Sequence, residues 1–286
     1  MNGVGEADES ASGGPARPGV ERTGRHRAGE SARQALAGVA TITAVRPGDV
    51  DGQPLTRAVF EYAARRPGQP LALLQAGCTT AGDDPDIGKL RAAGCDVAVT
   101  LIEDDNRVSR AAVTARRDLV TCTLCDLRIA PFVPRSFDIV HCARLLERIS
   151  HAELVLDRFV EALKPGGLLL LQTGDRECAT GFLDRVLPRP LRAMIWRNMR
   201  PGQPGPYRPV YERLVSERGV ESYALSRGLV IAQRETLSVP GGRRRPPAAQ
   251  FAGRLAVAVS RGRLTCAHDE LRYVIRKPES GCARVL

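Results

Sequence analysis

Short apolar runs alternate with helix-like segments along residues 54–173. The apolar runs predict five strands, which are Leu71–Gln75, Val97–Ile102, Leu119–Cys125, Phe137–Cys142 and residues 168–173. Most of these runs are too apolar for a strand with one face in water. They therefore predict a parallel sheet that helices cover on both faces.

Helix starts are predicted from capping residues and proline. The segment 54–66 carries apolar residues at helical spacing. After the first strand, the Asp-Asp-Pro sequence at 83–85 predicts the start of the next helix, because proline is favoured in a first turn. Ser150 and Glu153 have the spacing of a capping box and predict a helix start before the fifth strand.

The alternation breaks at residues 174–226, which are rich in proline and contain the only tryptophan, Trp196. A long irregular segment inside a domain is usually functional, so this one is predicted to be a helical lid over a substrate. The pattern also predicts a helix near 210–224, toward the end of this segment, and strands at 229–237, 254–260 and 271–276. Residues 1–35 lack periodicity and predict a disordered tail before a single domain at 36–286.

Composition narrows the class of protein. The net charge of +10 comes almost entirely from arginine, and such a charge suits binding to nucleic acid or to an acidic surface. The arginines are scattered and are not interleaved with aromatics, which favours a compositional bias instead. No apolar run approaches the roughly 18–20 residues that span a bilayer, and no secretory signal is visible. A cytoplasmic protein with reduced cysteines is expected.

The cysteines do not predict a metal site. Cys122 and Cys125 form a CxxC pair, but a structural zinc site needs a second pair of similar spacing, and the sequence has none.

A ligand of such a sheet lies at the carboxyl ends of the strands. The residues there are 75–82, 103–105, 125–127 and 141–144. An acid directly after the second strand, at Glu103, is placed to accept hydrogen bonds from a ribose diol. Asp83, Asp84 and Asp86 stand where a dinucleotide would rest its pyrophosphate, and they would repel it. S-adenosylmethionine (SAM) carries no phosphate, so these acids favour SAM over NAD.

The segments SFDIVHCARLLERI (136–149) and LKPGG (163–167) resemble the class I SAM-dependent methyltransferase family in its small-molecule form. The resemblance covers about residues 71–174. It implies a Rossmann-like, doubly wound, mostly parallel seven-stranded sheet with an antiparallel C-terminal strand and a helical insertion after strand five. It also implies a set of cofactor-binding residues, with Glu103 at the ribose and Asp126 at the adenine: Gln75, Ala76, Gly77, Cys78, Thr79, Glu103, Asp104, Asp126, Leu127, His141 and Cys142.

The chain departs from the family pattern in its first motif, an acid followed by Gly-x-Gly-x-Gly. Gln75 stands at the acid position, and Thr79 and Ala81 stand where later glycines are usual. A neutral amide loses the bonus of a charge-assisted hydrogen bond to the ligand ammonium. These departures predict weak SAM affinity. Arg148 also stands where histidine is common.

Methyl transfer depends on positioning and needs a base only when the acceptor must lose a proton. His141 and His151 are the candidate bases, with Cys142 a weaker one, although each histidine also fits a purely structural position. Arg144 and Arg148 suit either an acidic substrate group or ion pairs with Glu147 and Asp157. Five apolar side chains of the insertion suit either a flat acceptor or a small accessory core: Phe182, Met194, Trp196, Tyr207 and Tyr211.

The sequence therefore predicts a SAM-dependent methyltransferase of a small-molecule acceptor, acting on oxygen, nitrogen or carbon. The alternative is a non-catalytic relative that binds SAM as a sensor, or that acts through protein interactions. An NAD-dependent dehydrogenase is disfavoured, because no GxGxxG motif is present.

Overall fold

The computed structural model describes residues 53–77, 84–114, 121–199, 207–237, 264 and 268–279. All of these residues belong to one compact unit, Ala44–Leu286. The predicted tail at 1–35 and the predicted strand at 254–260 lie outside the described residues, so the domain boundary at residue 36 stays a prediction.

Seven strands form one sheet in the order β3-β2-β1-β4-β5-β7-β6. The strands are β1 (Leu71–Ala76), β2 (Val97–Glu103), β3 (Thr121–Leu124), β4 (Phe137–Ala143), β5 (Leu163–Gly174), β6 (Val230–Leu237) and β7 (Glu270–Arg276). β1 to β5 pair in parallel, and β7 runs antiparallel between β5 and β6. The predicted Rossmann-like sheet with an antiparallel C-terminal strand is confirmed.

Seven helices connect the described strands. They are α1 (Pro54–Ala64), α2 (Ile87–Ala92), α3 (Arg107–Thr114), α4 (Ala152–Ala162), α5 (Ala179–Val186), α6 (Arg189–Met199) and α7 (Glu217–Ser226). α5, α6 and α7 lie within the predicted insertion at 174–226.

The sheet separates two apolar layers. Leu73 and Ile139 enter one layer with α1 and α2, whereas their chain neighbours Leu74 and Val140 enter the other layer with α4 and α7. Successive side chains of a strand point to opposite faces, so both faces of the central strands are buried. This double burial is the reason why the strand sequences lack a polar alternation.

Asp138 of the SFD motif joins three elements at the amino end of the sheet. Its Oδ2 accepts hydrogen bonds from the Ala72 backbone N–H (3.0 Å) and from Lys164 Nζ (2.8 Å), the lysine of LKPGG. Its Oδ1 accepts one from the Tyr62 hydroxyl at 3.4 Å. Burial, together with the nearby Asp138 charge, raises the pKa of Tyr62 to about 12. The two motifs are thus partners that hold β1, β4 and β5 in register.

Two helices start later than predicted, because their N-cap residues lie further along the chain. α2 begins at Ile87, with Asp86 as its N-cap, and not at 83–85. Asp84 instead accepts hydrogen bonds from the backbone N–H groups of Leu55 and Thr56, at the start of α1. α7 begins at Glu217, well after residue 210, where Ser216 accepts from the Gly219 N–H.

The predicted capping box of α4 is wrong. Ser150 is exposed, and the N-cap is His151, which adopts a left-handed conformation with φ of 59° and gives no side-chain cap. The carboxylate of Glu212 caps the helix, accepting from the His151 N–H at 2.7 Å and the Ala152 N–H at 3.0 Å. A residue of the insertion at 174–226 therefore supplies the cap that the local sequence was expected to supply.

This cap generates a stability prediction. Glu212→Ala should lower the free energy of unfolding by roughly 1 kcal/mol, because two N–H groups of the first turn lose their acceptor. Ser150→Ala should leave it unchanged. Urea denaturation followed by circular dichroism measures both free energies. A larger loss of stability in Ser150→Ala than in Glu212→Ala would support the capping box instead.

Gly77, directly after β1, is confined by the neighbouring strand. Its φ is +103°, and a Cβ there would overlap the carbonyl oxygen of Ala143 at the end of β4. Gly77→Ala should therefore cost more than about 2 kcal/mol of stability. Gly68→Ala is the matched control, since Gly68 has φ of +73° with open space around it, and it should cost only the backbone strain of about 1–2 kcal/mol. Equal losses in urea denaturation would contradict the proposed overlap.

Candidate functional site

The carboxyl ends of β1 and β4 meet at the point where the strand order reverses. From β1 the chain runs outward through β2 and β3 and then returns to β4 on the other side of β1. Gln75 pairs in register with His141, and Ala76 with Cys142. The Gly77 N–H reaches the Ile102 carbonyl of β2 at 3.4 Å. This is the place where a sheet of this topology binds its ligand.

The structure brings part of the predicted cofactor set together at this edge. Gln75, Ala76 and Gly77 come from β1, Glu103 and Asp104 from β2, and His141 and Cys142 from β4. Cys78 and Thr79 lie outside the described residues, so their role in the loop stays a prediction.

Glu103 ends β2 and is almost fully buried. Both of its carboxylate oxygens accept from Arg148 Nη2, at 2.8 and 2.7 Å. Oε1 also accepts from the Asp104 backbone N–H at 2.9 Å. The side chains of the pair are only 5% and 2% exposed for Arg148 and Glu103. The predicted ribose acid is therefore engaged in a buried ion pair.

Arg148 is held on further sides. Its Nε donates to the Arg144 carbonyl at 2.9 Å, and its guanidinium lies 4.1 Å from the centroid of the Tyr207 ring. Tyr207 in turn makes an edge contact with Trp196 of α6 at 6.4 Å between ring centroids. A line of side chains thus connects the insertion to the acid at the end of β2.

The first predicted base, His141, is fully buried on β4, where its Nδ1 lies 3.5 Å from Gln75 Nε2. The second, His151, lies exposed at the start of α4. Burial raises the pKa of the adjacent Cys142 thiol, which disfavours the thiolate that a nucleophile or base requires. None of the three geometries brings a basic group to an open position at the β1–β4 junction.

Asp126 and Leu127 follow β3, and the Cys125 N–H before them bonds the Glu103 carbonyl at 3.1 Å. Asp126 is partly exposed and pairs with Arg128 at 2.6 Å. Hydrogen bonds from Arg128 lower the pKa of Asp126 to about 2, so it is ionised at neutral pH. Leu127 is buried. The adenine acid predicted from the resemblance therefore remains accessible, in contrast to Glu103.

The ion pairs of the two loop arginines differ from those suggested by the sequence. Arg148 pairs with Glu103, and Arg144 pairs with Glu270 of β7 and stands 3.9 Å from Glu147. Asp157 pairs with Arg227. The Arg144 to Glu147 contact is thus the one suggested pairing that the structure contains among these arginines.

A buried polar network continues from Glu270 across the carboxyl edge. Glu270 Oε1 accepts from Gln172 Nε2 at 2.6 Å and from Arg272 Nε at 2.9 Å. Arg272 then reaches Asp84 at 3.3 Å. These contacts tie β5 and β7 to the segment before α2, and they compensate the charges that the fold buries there.

A histidine–aspartate pair lies beyond β5 that the sequence reasoning missed. Asp175, which directly follows β5, is 3% exposed. Its Oδ2 lies 2.8 Å from Nε2 of His268, two residues before β7. Because 93 positions separate the two residues, no local motif announces the pair. The sequence signal that could have suggested the pair is that Asp175 follows one predicted strand and His268 precedes another, if those two strands are neighbours in the sheet.

The five apolar side chains of the insertion do not act alike. Tyr211 belongs to the main core, while Trp196 and Tyr207 form the line toward Arg148. Phe182 is half-buried, and Met194 is exposed on α6. Tyr211 therefore fits the expected core role, whereas Trp196 and Tyr207 are placed for the expected contact with a ligand.

The described residues hold neither a metal-binding cluster nor a membrane-spanning helix. No group of three or more His, Cys, Asp or Glu side chains is arranged there to hold a metal ion. No helix in that part of the chain has the length and apolar character needed to cross a bilayer.

Comparisons with known structures give distant similarities. A SAM-dependent methyltransferase from Mesorhizobium loti shares 17% identity over 76% of this chain and 96% of its own, with a TM-score of 0.42. Phosphoethanolamine N-methyltransferase 2 from Haemonchus contortus, solved with SAM, shares 15% identity over 79% of this chain and 53% of its own, with a TM-score of 0.44. No curated protein matches the chain.

A sequence profile of the methyltransferase domain family matches residues 57–222, which is more than half of the chain. The match spans β1 to β5, the helices α5 and α6 and most of α7. It includes the β1–β4 junction and the acid at the end of β2. The chain therefore belongs to the methyltransferase domain family.

Proposed function

We propose that this protein is a SAM-dependent methyltransferase of a small-molecule acceptor. The observation that carries the proposal is the junction of β1 and β4, where the tight turn at Gly77 lies beside the buried carboxylate of Glu103. A turn without a side chain allows close approach of a ligand to the backbone. A carboxylate at the end of β2 accepts hydrogen bonds from a ribose diol.

The residues at the junction fit a cofactor without phosphate. Asp86 caps α2 with its own carboxylate, so the helix terminus that would bind a pyrophosphate already carries an anion. When bound, SAM supplies an electrophilic methyl group on a sulfonium. The chain would hold it through Gln75 to Thr79 near the methionine portion, Glu103 and Asp104 at the ribose, and Asp126 and Leu127 at the adenine.

The acceptor would lie between the junction and the insertion. Trp196 and Tyr207 are half-buried aromatic side chains of the insertion that reach toward Arg148, and aromatic faces suit a flat organic molecule. Much of the rate of methyl transfer comes from holding acceptor and methyl donor in line. These side chains would contribute that positioning.

His268 is better placed for proton transfer than His141 or His151. In the tautomer that carries its proton on Nε2, the ring donates to the buried Asp175 carboxylate, which leaves Nδ1 as the proton-accepting nitrogen. The pair stands at the carboxyl end of β5, next to the strand β4 of the junction. For an acceptor that must lose a proton, His268 would take it, and Asp175 would orient the ring.

The second candidate function is a non-catalytic methyltransferase-like protein that senses SAM or binds another protein. The observation that favours it is the engagement of Glu103 by Arg148, together with the neutral Gln75 at the acid position of the first motif. Both features weaken a SAM site without disturbing the fold.

Calorimetric titration of the full chain with SAM and with its demethylated product separates the two functions. We expect binding of both ligands, with dissociation constants above the micromolar range because Gln75 offers no charge. Glu103→Ala should abolish the binding of both ligands, because the ribose loses its hydrogen-bond acceptor. Glu103→Ala alone leaves the Arg148 charge buried without its partner. The double variant Glu103→Ala/Arg148→Met removes both charges, so its comparison with Arg148→Met isolates the loss of the Glu103 acceptor.

Asp105→Asn is the matched control, because Asp105 lies two residues further along and pairs with Arg110 at the surface. It should bind like the wild type. Sub-micromolar SAM binding would refute the weak-affinity prediction, and unchanged binding without Glu103 would refute the site assignment. A folded protein that binds neither ligand at millimolar concentration would favour the non-catalytic function.

A further inference from the structure

We infer that Arg148 competes with the cofactor ribose for Glu103 and thereby sets the affinity of the site. This inference rests on the proposed function. It assigns to Arg148 an affinity-determining role, in which the arginine must leave the carboxylate before a ribose diol can bind it.

The competition follows from the acceptor capacity of Glu103. A carboxylate accepts about four hydrogen bonds. The Asp104 N–H and Arg148 Nη2 already supply three contacts, two at Oε1 and one at Oε2. A ribose diol needs two acceptor positions of its own. The Asp104 N–H is fixed by the backbone, so Arg148 is the donor that must yield.

The position of Arg148 is set by structure around it. The guanidinium is anchored by the Arg144 carbonyl and covered by the Tyr207 ring in addition to its pairing with Glu103. By contrast, the Arg110 and Asp105 side chains of the neighbouring surface pair are 68% and 41% exposed. An exposed pair exchanges readily with water, whereas separating a buried pair leaves an uncompensated charge. Ligand binding at Glu103 therefore carries a cost that the surface pair would not impose.

The expected effect on ligands is specific. The ribose is common to SAM and to its demethylated product S-adenosylhomocysteine, whereas the sulfonium charge belongs to SAM alone. Competition for Glu103 lowers both affinities by the same factor. Simple repulsion between the Arg148 charge and the sulfonium would lower only the affinity for SAM.

Arg148→Met tests the inference, because methionine keeps an extended apolar side chain under Tyr207 and donates no hydrogen bond. Calorimetry should show both SAM and S-adenosylhomocysteine binding at least about tenfold more tightly than to the wild type, the factor that one hydrogen bond to a charged group represents. Arg110→Met, which removes an exposed arginine near the same strand end, should change neither affinity.

Tyr207→Leu provides a second variant in which the buried ion pair is intact. Removing the ring should loosen Arg148 and tighten both ligands by about two- to fivefold, the range of an exposed to partly buried cation–π contact. If Arg148→Met fails to fold by circular dichroism, this variant carries the test. A gain for both ligands then supports the competition, and no gain overturns it.

The outcomes separate this inference from the proposed function. Wild type and Arg148→Met binding both ligands equally well would overturn the competition and leave the methyltransferase proposal intact. A gain for SAM alone would replace competition by charge repulsion. Absence of binding in all folded variants would overturn the cofactor itself, and the competition with it.

Discussion

The pairing of β1 with β4 is the constraint on which the rest of the molecule depends. The two strands are neighbours in space although β2 and β3 lie between them in the chain. The sheet therefore grows from this junction toward β2 and β3 on one side and toward β5 on the other. Gly77 lies so close to the Ala143 carbonyl that no side chain fits there. Asp138 fixes the opposite end through Ala72 and Lys164. The position of every other strand end follows from this register.

The carboxyl edge above this junction buries an unusual amount of charge, and ion pairs compensate it. Glu103 has Arg148, and Glu270 has Arg144 and Arg272. A buried ion pair contributes little net stability, because desolvation offsets the attraction, but removal of one partner is strongly unfavourable. The pairs therefore act as positional restraints. They connect the segment after β4 to the ends of β2 and β7.

The sequence was sufficient for the strands and insufficient for the partners of polar side chains. Double burial makes β1, β2, β4 and β5 continuous apolar runs, and such runs are visible without any structure. The prediction of a helix cap failed where the capping residue is distant in the sequence, as Glu212 is from α4. In the candidate site, the sequence predicted Glu103 from its position at the end of the second strand. The sequence did not predict its pairing with Arg148, which is 45 residues away. Long-range pairs leave no local pattern for a sequence argument to use.

The two departures from the family pattern act on different parts of the proposed ligand. Gln75 removes a charge from the region of the ligand ammonium, and Arg148 neutralises the acid at the ribose. Ammonium and ribose are both present in SAM and in S-adenosylhomocysteine. Under the proposed function, each departure would lower the affinity for SAM and for S-adenosylhomocysteine together and would leave their ratio unchanged. Such a site would bind weakly but would release its product as readily as its substrate, so weak affinity alone is compatible with turnover.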